Sequence, residues 1–280
     1  MSTLTTYGRI AAGTALGPLK RRPAVLPERE LQRAGIAIDR AHLAAYDRVC
    51  GFRLGDALPA TYPHVLAFPL AMDLMTSGDF PFGVLGLVHV ANAIEQLRPL
   101  DAGEPLDLRV WAENLATHPR GRTVDIVAEA SADGAVAWRD RSTYLHRERS
   151  GERRDPRPPA EPPAATAQWE VPGDTGRRYA AVSGDRNPIH LHGLTARLLG
   201  QPRALAHGMW TKARCLAALQ GHLPEAYTVE VAFKLPVLLP ATVAFASWSE
   251  EAERRFALHD ARSGKPHLTG AVTPSAAPAG

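Results

Sequence analysis

The chain has 280 residues, of which 45% are hydrophobic and 22% charged, an ordinary composition for a folded globular protein of about two domains. Its formal net charge is +3 and its basic residues are scattered, which excludes a nucleic-acid-binding protein with a basic, aromatic-studded face. The apolar runs at 84–94 and 236–246 are too short and interrupted to span a bilayer, so we expect no membrane partner.

Two further features predict a cytoplasmic protein. The chain has only two cysteines, Cys50 and Cys215, which cannot build a disulfide framework. The N-terminal residues lack the charged start and the long apolar core of a secretory signal peptide. Cys215 lies within an apolar helical pattern, where we expect it to be a small core residue.

The first half of the chain predicts an α+β unit. Residues 1–25 lack clear periodicity and are interpreted as an N-terminal arm, and residues 26–147 as a first domain. Asp39 suits the N-cap of a helix, and Pro69 suits the first turn of a second helix over 69–76. The predicted strands lie at 84–97, 106–114, 123–130 and 135–146, with a hairpin turn at 133–134.

A proline-rich segment follows this unit. Residues 148–172 are almost free of large apolar side chains, which is typical of a semi-rigid, extended linker. We favour the linker over a proline-rich docking ligand, and we assign residues 173–280 to a second domain.

The second domain repeats the first. Segment 46–53 aligns with 179–186 at an offset of 133, 66–70 with 205–209 at 139, and 99–106 with 236–243 at 137. The shared order indicates two copies of one unit. In this alignment Phe52 stands where Asp185 stands and Pro69 where Gly208 stands, and a six-residue insertion falls in the second copy. Because proline has no amide hydrogen, the first copy is predicted to be degenerate.

Residues with catalytic chemistry are concentrated at 179–210. Asp185 and His190, an acid and a base, share a short loop stiffened by Pro188, and Gly208 opens an apolar helix. A backbone amide at a helix start stabilises negative charge, and an acid–base pair moves protons. Together these groups predict proton transfer next to an activated carbonyl.

The string G-D-R-N-P-I-H at 184–190, followed by A-H-G-M at 206–209, resembles the MaoC-like (R)-specific enoyl hydratases and (3R)-hydroxyacyl-thioester dehydratases. The two-copy layout is similar to their double-hot-dog members, especially the actinobacterial (3R)-hydroxyacyl-carrier-protein dehydratases. The resemblance implies an α+β double hot dog, in which each of two tandem units is a long helix wrapped by an antiparallel sheet.

The same resemblance implies reversible dehydration of (3R)-hydroxyacyl thioesters to trans-2-enoyl thioesters in fatty-acid metabolism, without a metal or organic cofactor. The substrate would be a thioester of CoA or of an acyl carrier protein. Asp185 and His190 would be the catalytic pair, with the Gly208 amide as oxyanion donor. Asn187 would position the loop. We further expect Ser183 to donate a hydrogen bond to the loop and His207 to pack or hydrogen-bond before the helix.

Other functions stay open at this point. A metal site that includes His192 is disfavoured, because the Asn-Pro turn and Gly193 interrupt a regular strand. A hot-dog acyl thioesterase usually carries a carboxylate on the helix, and residues 209–219 have none. A non-catalytic acyl-thioester-binding module is a third alternative, which the intact Asp185 and His190 disfavour. Pairing into a homodimer through sheet edges is also open.

Overall fold

The computed structural model describes residues 23–148 and 161–275. Most of the expected arm (1–25) and much of the expected linker (148–172) lie outside the described residues. Within those ranges, ten strands form one antiparallel sheet that carries a long helix in each half. No helix in the described ranges is long and apolar enough to cross a membrane.

The first half forms the elements that its sequence pattern favours. Asp39 accepts hydrogen bonds from the amides of Ala41 and His42, which confirms it as the N-cap of the first helix. The four predicted strands all form, although the first is preceded by a 3-10 turn at Val84–Gly86. The elements are β1 (Leu31–Ile36), α1 (Arg40–Cys50), α2 (Tyr62–Met75), β2 (Leu87–Gln96), β3 (Leu106–His118), β4 (Gly121–Ala132) and β5 (Ala135–Arg147).

The second half repeats this order and adds two short helices before its long helix. Cys215 is buried in the long helix, as its apolar surroundings predict. The elements are β6 (Ala167–Val171), α3 (Thr175–Ser183), α4 (Pro188–Leu191), α5 (Gly193–Leu198), α6 (Gly208–Leu219), β7 (Tyr227–Phe233), β8 (Ala241–Glu250), β9 (Glu253–Asp260) and β10 (Pro266–Pro274).

The two halves of the sheet are related by a pseudo-twofold axis that passes between β2 and β7. The strand order is β1-β3-β4-β5-β2-β7-β10-β9-β8-β6, so each strand of one half has a counterpart at the same distance from the centre. Strands β2 and β7 pair from Ala91↔Ala232 to Gln96↔Tyr227 and make the sheet continuous. Helix α2 packs against β3 and β4. The architecture is therefore the expected α+β double hot dog.

Helix α2 begins well before the predicted start at Pro69. Pro63, not Pro69, occupies its first turn, where a missing amide hydrogen has little cost. Pro69 lies inside the helix, so the prediction of a helix that starts there is wrong. The helix is apolar on nearly all sides, and its burial offsets the hydrogen bond that an interior proline removes.

The start of the long helix also corrects the alignment of the two copies. Helices α1 and α3 both end at a left-handed glycine, Gly51 and Gly184, as the offset of 133 requires. The long helices then begin at Tyr62 and Gly208, so Gly208 corresponds to Tyr62 and not to Pro69. The preceding segment has ten residues (52–61) in the first half and 23 (185–207) in the second. The insertion therefore has 13 residues rather than six.

The first half still lacks a free amide donor at its helix start, but proline is not the reason. The Tyr62 amide donates to the Pro59 carbonyl at 2.7 Å. A donor that is already engaged is not available to stabilise charge on a substrate, so the first copy is degenerate at this position.

The expected linker is too long at its C-terminal end. Residues Ala167–Val171 form β6, which pairs with β8. The ring of Trp169 stacks on Phe245 with centroids 4.9 Å apart, and the Arg214 guanidinium lies 4.3 Å from the Trp169 centroid. One aromatic residue thus anchors an edge strand in a segment whose proline content favoured an extended linker.

A buried polar network joins the two halves. Lys212, on α6, donates to the Asn92 side chain at 2.5 Å and to the Val229 carbonyl at 3.0 Å. Asn92 donates to Asp140 on β5, which also accepts a hydrogen bond from His64 on α2. Lys212, Asn92 and Asp140 are 0%, 1% and 2% exposed. Burial lowers the pKa of Lys212 to about 7. Because all these polar groups are buried, loss of one of them would leave its partners without a hydrogen bond.

Candidate active site

A cavity of about 310 Å³ is lined by residues of both halves. The first half contributes one face of α2 and side chains of β2 and β5, and the second half contributes the segment between α3 and α6 and the end of β7. All six residues predicted for the site line this cavity: Ser183, Asp185, Asn187, His190, His207 and Gly208.

A tight turn after α3 holds Asp185. Gly184 ends the helix with a φ of 74°, a conformation that favours glycine. The Asp185 amide donates to the Ser183 hydroxyl at 3.2 Å, and the Asp185 carboxylate accepts from the Asn187 amide at 3.1 Å. Ser183 therefore accepts this hydrogen bond from the loop, whereas the expectation was that it donates one. Asn187 caps α4 by accepting from the Ile189 amide at 3.4 Å.

His190 carries a basic nitrogen. Its Nδ1 lies 2.9 Å from the Leu205 carbonyl oxygen. Because a carbonyl can only accept, Nδ1 bears the proton and Nε2 keeps its lone pair. Burial lowers the pKa of His190, and the negative charge of Asp185 and the bond to Leu205 partly offset that effect. His190 is therefore a neutral base near pH 7.

His207 packs against His190 with ring centroids 3.7 Å apart and an interplanar angle of 26°. Its Nε2 donates to the Asp185 carbonyl at 3.0 Å, and its buried Nδ1 has no hydrogen-bond partner among residues 23–148 and 161–275. Burial, and after it the charge that His190 can carry, lowers the pKa of His207 to about 3. His207 is thus a neutral ring that fixes the backbone of Asp185.

Asp185, His190 and His207 each place one potential metal ligand within 4.8 Å of the others. A ring nitrogen binds zinc in the plane of its ring at about 2.0–2.1 Å. Because the rings of His190 and His207 are stacked 3.7 Å apart, their planes lie side by side. The in-plane lone pairs of the two rings therefore do not point to one shared metal position. His192, the fourth candidate ligand, is exposed and does not line the cavity. The arrangement suits proton transfer better than metal binding.

Gly208 is the first residue of α6, so its amide has no intrahelical acceptor. Across the described parts of the chain, no other group accepts a hydrogen bond from this amide. A Cβ atom at position 208 would lie 3.2 Å from the Phe233 ring, so any larger residue would have to displace that ring. The free amide and the positive end of the helix dipole form a site for a developing oxyanion.

The aromatic residues His64, His89, Tyr144 and Phe233 also line the cavity and were not predicted for the site from the sequence. Tyr144 stacks on His89 with centroids 4.6 Å apart, and His89 lies 4.9 Å from Phe233. The pKa of Tyr144 is raised by burial and then by the charge of Asp185, so its hydroxyl lies within electrostatic reach of Asp185. In the sequence, each of these residues is only an aromatic side chain in a segment that forms a strand or helix. A residue of the hydrophobic core has the same appearance, so the sequence does not distinguish the two.

Comparisons with known proteins point to one family. Residues 155–271 match the profile described as the MaoC like domain. The chain is 40% identical over 276 residues to the 3-hydroxyacyl-thioester dehydratase X of Mycobacterium tuberculosis, covering 97% of this chain and 98% of that protein. A crystal structure of HtdX from the same organism has a TM-score of 0.80 at 38% identity, covering 88% of this chain and 100% of that chain. A MaoC-like dehydratase from Phytophthora capsici shares the fold, with a TM-score of 0.74 at 17% identity over 90% of this chain and 96% of that chain.

Proposed function

We propose that this chain, which belongs to the family of MaoC-like dehydratases, reversibly dehydrates (3R)-hydroxyacyl thioesters to trans-2-enoyl thioesters. It would be a hydro-lyase of fatty-acid metabolism that acts in the cytoplasm on thioesters of CoA or of an acyl carrier protein, without a metal or organic cofactor. The relative in Mycobacterium tuberculosis is named for 3-hydroxyacyl-thioester dehydration, which supports this reaction class.

The hydrogen bond between His190 Nδ1 and the Leu205 carbonyl is the observation that carries the proposal. The Leu205 carbonyl fixes the proton on Nδ1, so Nε2 is a base that is already deprotonated near pH 7. A ring nitrogen of His190 and a carboxylate oxygen of Asp185 lie within 4.8 Å of each other. At this distance both groups can act on neighbouring carbons of one substrate.

In dehydration, His190 Nε2 takes the proton from the α-carbon. The electron pair moves toward the thioester carbonyl, and the Gly208 amide stabilises the oxyanion that develops there. One such donor is worth about 3–4 kcal/mol of transition-state stabilisation. Because Gly208 lacks a side chain, the carbonyl oxygen can approach its amide closely beside Phe233.

Asp185 serves the leaving group. The Asp185 carboxylate takes the α-proton from His190 and passes it to the β-hydroxyl, the C–O bond breaks, and water leaves as the α,β double bond forms. His190 is then neutral and Asp185 ionised, as before the reaction, and hydration runs through the same steps in reverse. An acid or a base in such a position contributes about 10²–10⁴ in rate.

One active centre per chain follows from the asymmetry of the halves. The first domain (26–147) is degenerate and gives the cavity an apolar wall from α2, with Val65, Phe68 and Met72 facing the space where an acyl chain would lie. The second domain (173–280), extended by β6, provides the acid, the base and the oxyanion donor.

A hot-dog acyl thioesterase is the competing enzyme, and a non-catalytic binding module is the competing non-enzyme. Helix α6 contains no aspartate or glutamate to activate a hydrolytic water, which disfavours the thioesterase. The deprotonated Nε2 of His190 beside Asp185 disfavours a mere binder.

A single assay separates these functions. Incubation with crotonyl-CoA and longer trans-2-enoyl-CoAs, with enoyl absorbance and free thiol followed separately, should show enoyl loss without thiol release. Thiol release would instead identify a thioesterase. If neither signal changes while the substrate binds, the protein is a binding module and the proposal is wrong.

A further inference from the structure

We propose that the surface at the mouth of the cavity docks an acidic carrier protein, which delivers the acyl thioester on a flexible pantetheine arm. The proposal rests on the proposed function, because it names the source of the same thioester. We call this surface the mouth patch and define it by four leucines and five cations: Leu194, Leu198, Leu199, Leu235, Arg197, Arg203, Lys234, Arg262 and Lys265.

The mouth patch lies at a surface groove that adjoins the catalytic cavity. Gln201, Leu235, Pro236 and His267 line both the groove and the cavity. The groove is bordered by Arg203, Arg262 and Lys265, and Lys234 lines the cavity. A substrate that enters here passes the patch before it reaches Asp185.

The cations of the mouth patch are exposed and lack carboxylate partners within the described ranges. This differs from the sheet, where Arg109 and Arg139 bind Glu129 and Arg141 binds Glu113. Two carboxylates, Glu170 and Asp260, line the groove.

Of these two carboxylates, Asp260 caps a turn. Its Oδ1 accepts hydrogen bonds from the amides of Arg262 and Ser263. Five cations therefore face about two opposing charges, on a chain whose total net charge is only +3. Such a concentration attracts and orients an acidic partner.

The leucines give the patch an apolar centre. The described residues include nine exposed large hydrophobic side chains, and four of them are Leu194, Leu198, Leu199 and Leu235. Leu198 and Leu194 are 86% and 75% exposed, which is unusual for leucine on a two-turn helix.

Helix α5, which carries two of these leucines, is tied to the rim of the groove. The Gln201 amide donates to the Ala196 carbonyl at 2.9 Å, and Arg197 donates to the Pro202 carbonyl at 3.2 Å. The helix lies within the 13-residue insertion that only the second half contains. The leucines of α5 are therefore found only in the half that carries the proposed catalytic residues.

The combination selects a protein rather than a small anion. The phosphates of CoA could meet cations at the groove, but they offer nothing to cover exposed leucines on α5. An acidic helical carrier protein supplies both an apolar contact and a ring of carboxylates, and its pantetheine arm enters the cavity from the same opening.

The test compares two substrates with the same acyl group: crotonyl-CoA and crotonyl carried on a purified acidic acyl carrier protein. The variants are Leu198→Ser and the double charge reversal Arg262→Glu/Lys265→Glu, with Arg33→Glu on β1, at the far edge of the sheet, as matched control. We expect kcat/KM for the carrier-protein substrate to fall about tenfold or more in both variants. With crotonyl-CoA the decrease should stay within about twofold in Leu198→Ser and should be several-fold smaller than the carrier-protein loss in the charge reversal, and the control should change neither value.

Binding of the holo-carrier protein without an acyl group, measured by fluorescence anisotropy, should weaken in the same variants and at high salt. This readout needs no turnover. If the wild type dehydrates neither substrate but binds the carrier protein, the proposed function fails and the docking surface stands.

Three results would overturn the docking proposal. Equal losses with both substrates would mean that the patch meets only the phosphate of the pantetheine arm. Unchanged kcat/KM with the carrier-protein substrate would mean that the patch has no role in delivery. Conversion of a dimer to a monomer by Leu198→Ser, seen by light scattering, would identify an interface between two copies of this chain.

Discussion

His190 and His207 stack with ring centroids 3.7 Å apart, and each donates a hydrogen bond to a different backbone carbonyl. Two buried imidazoles at this distance cannot both be charged, and burial lowers the pKa of each. His207 donates a hydrogen bond to the backbone carbonyl of Asp185 and stacks on His190. Asp185, His190 and the neutral ring of His207 are therefore in direct contact. In the proposed mechanism His190 takes the α-proton, because the Leu205 carbonyl leaves its Nε2 deprotonated.

The pH dependence of the reaction should follow from the lowered pKa of His190. A base works only when deprotonated, so kcat/KM should be constant near pH 7 and fall as the pH drops through a value below the ordinary 6.5. Removing the Asp185 charge should lower the pKa of His190 further, since that charge raises it. An NMR titration of the ring in Asp185→Asn measures this shift. An acid limb above pH 7 in the wild type would contradict the assignment.

His207 should act by position. His207→Leu leaves the Asp185 carbonyl without its donor, and we expect kcat to fall about tenfold with little change in KM. His207→Gln can place an amide donor near the position of Nε2, so it should recover most of this loss. Steady-state kinetics of both variants, with circular dichroism to compare their folds, decide the matter. Equal losses in Leu and Gln would show that packing against His190 is what matters.

Gly208→Ala should reduce kcat about 10- to 100-fold, because the new methyl group lies 3.2 Å from Phe233 and displaces the amide from the oxyanion. The double variant Gly208→Ala/Phe233→Leu removes the crowded ring and should regain part of the activity. Phe233→Leu alone is the matched control. If the double variant is no more active than Gly208→Ala, crowding by Phe233 is not the reason for glycine.

Asp140→Leu should destabilise the fold by about 3–5 kcal/mol. The substitution removes the acceptor of His64 and Asn92 and the nearby charge that favours protonated Lys212, all within the buried network between the halves. Urea unfolding measures the change in the free energy of unfolding. Asp133→Asn, in an exposed hairpin turn with positive φ, is the control and should change it by less than about 0.5 kcal/mol. A loss below about 1 kcal/mol in Asp140→Leu would mean that the network is dispensable.

Local signals in the sequence were sufficient for much of the fold. Asp39 as an N-cap follows from chemistry within a few residues. The strands of the first half follow from their residue patterns. The start of α2 could not be found in this way, since both Pro63 and Pro69 suit a first turn and only tertiary burial decides between them.

The loop that carries the proposed acid and base could be found in the sequence because its residues are close together along the chain. Tyr144 and His89 were not, because they reach the cavity only through the pairing of β2 with β5. The tautomer of His190 also depends on a distant partner, Leu205, which no spacing rule indicates. Long-range contacts, rather than residue types, were the missing information.

The most direct test of the central claim is the turnover of a (3R)-3-hydroxyacyl thioester by Asp185→Asn, compared with the wild type and with the control Asp174→Asn at the start of α3. The asparagine is nearly isosteric and keeps an acceptor for the Asn187 amide, so the loop should persist while the group that carries the proton to the β-hydroxyl is lost. We predict a decrease in kcat of about 10²–10⁴ in Asp185→Asn and none in Asp174→Asn. Near-full turnover by Asp185→Asn would contradict the account.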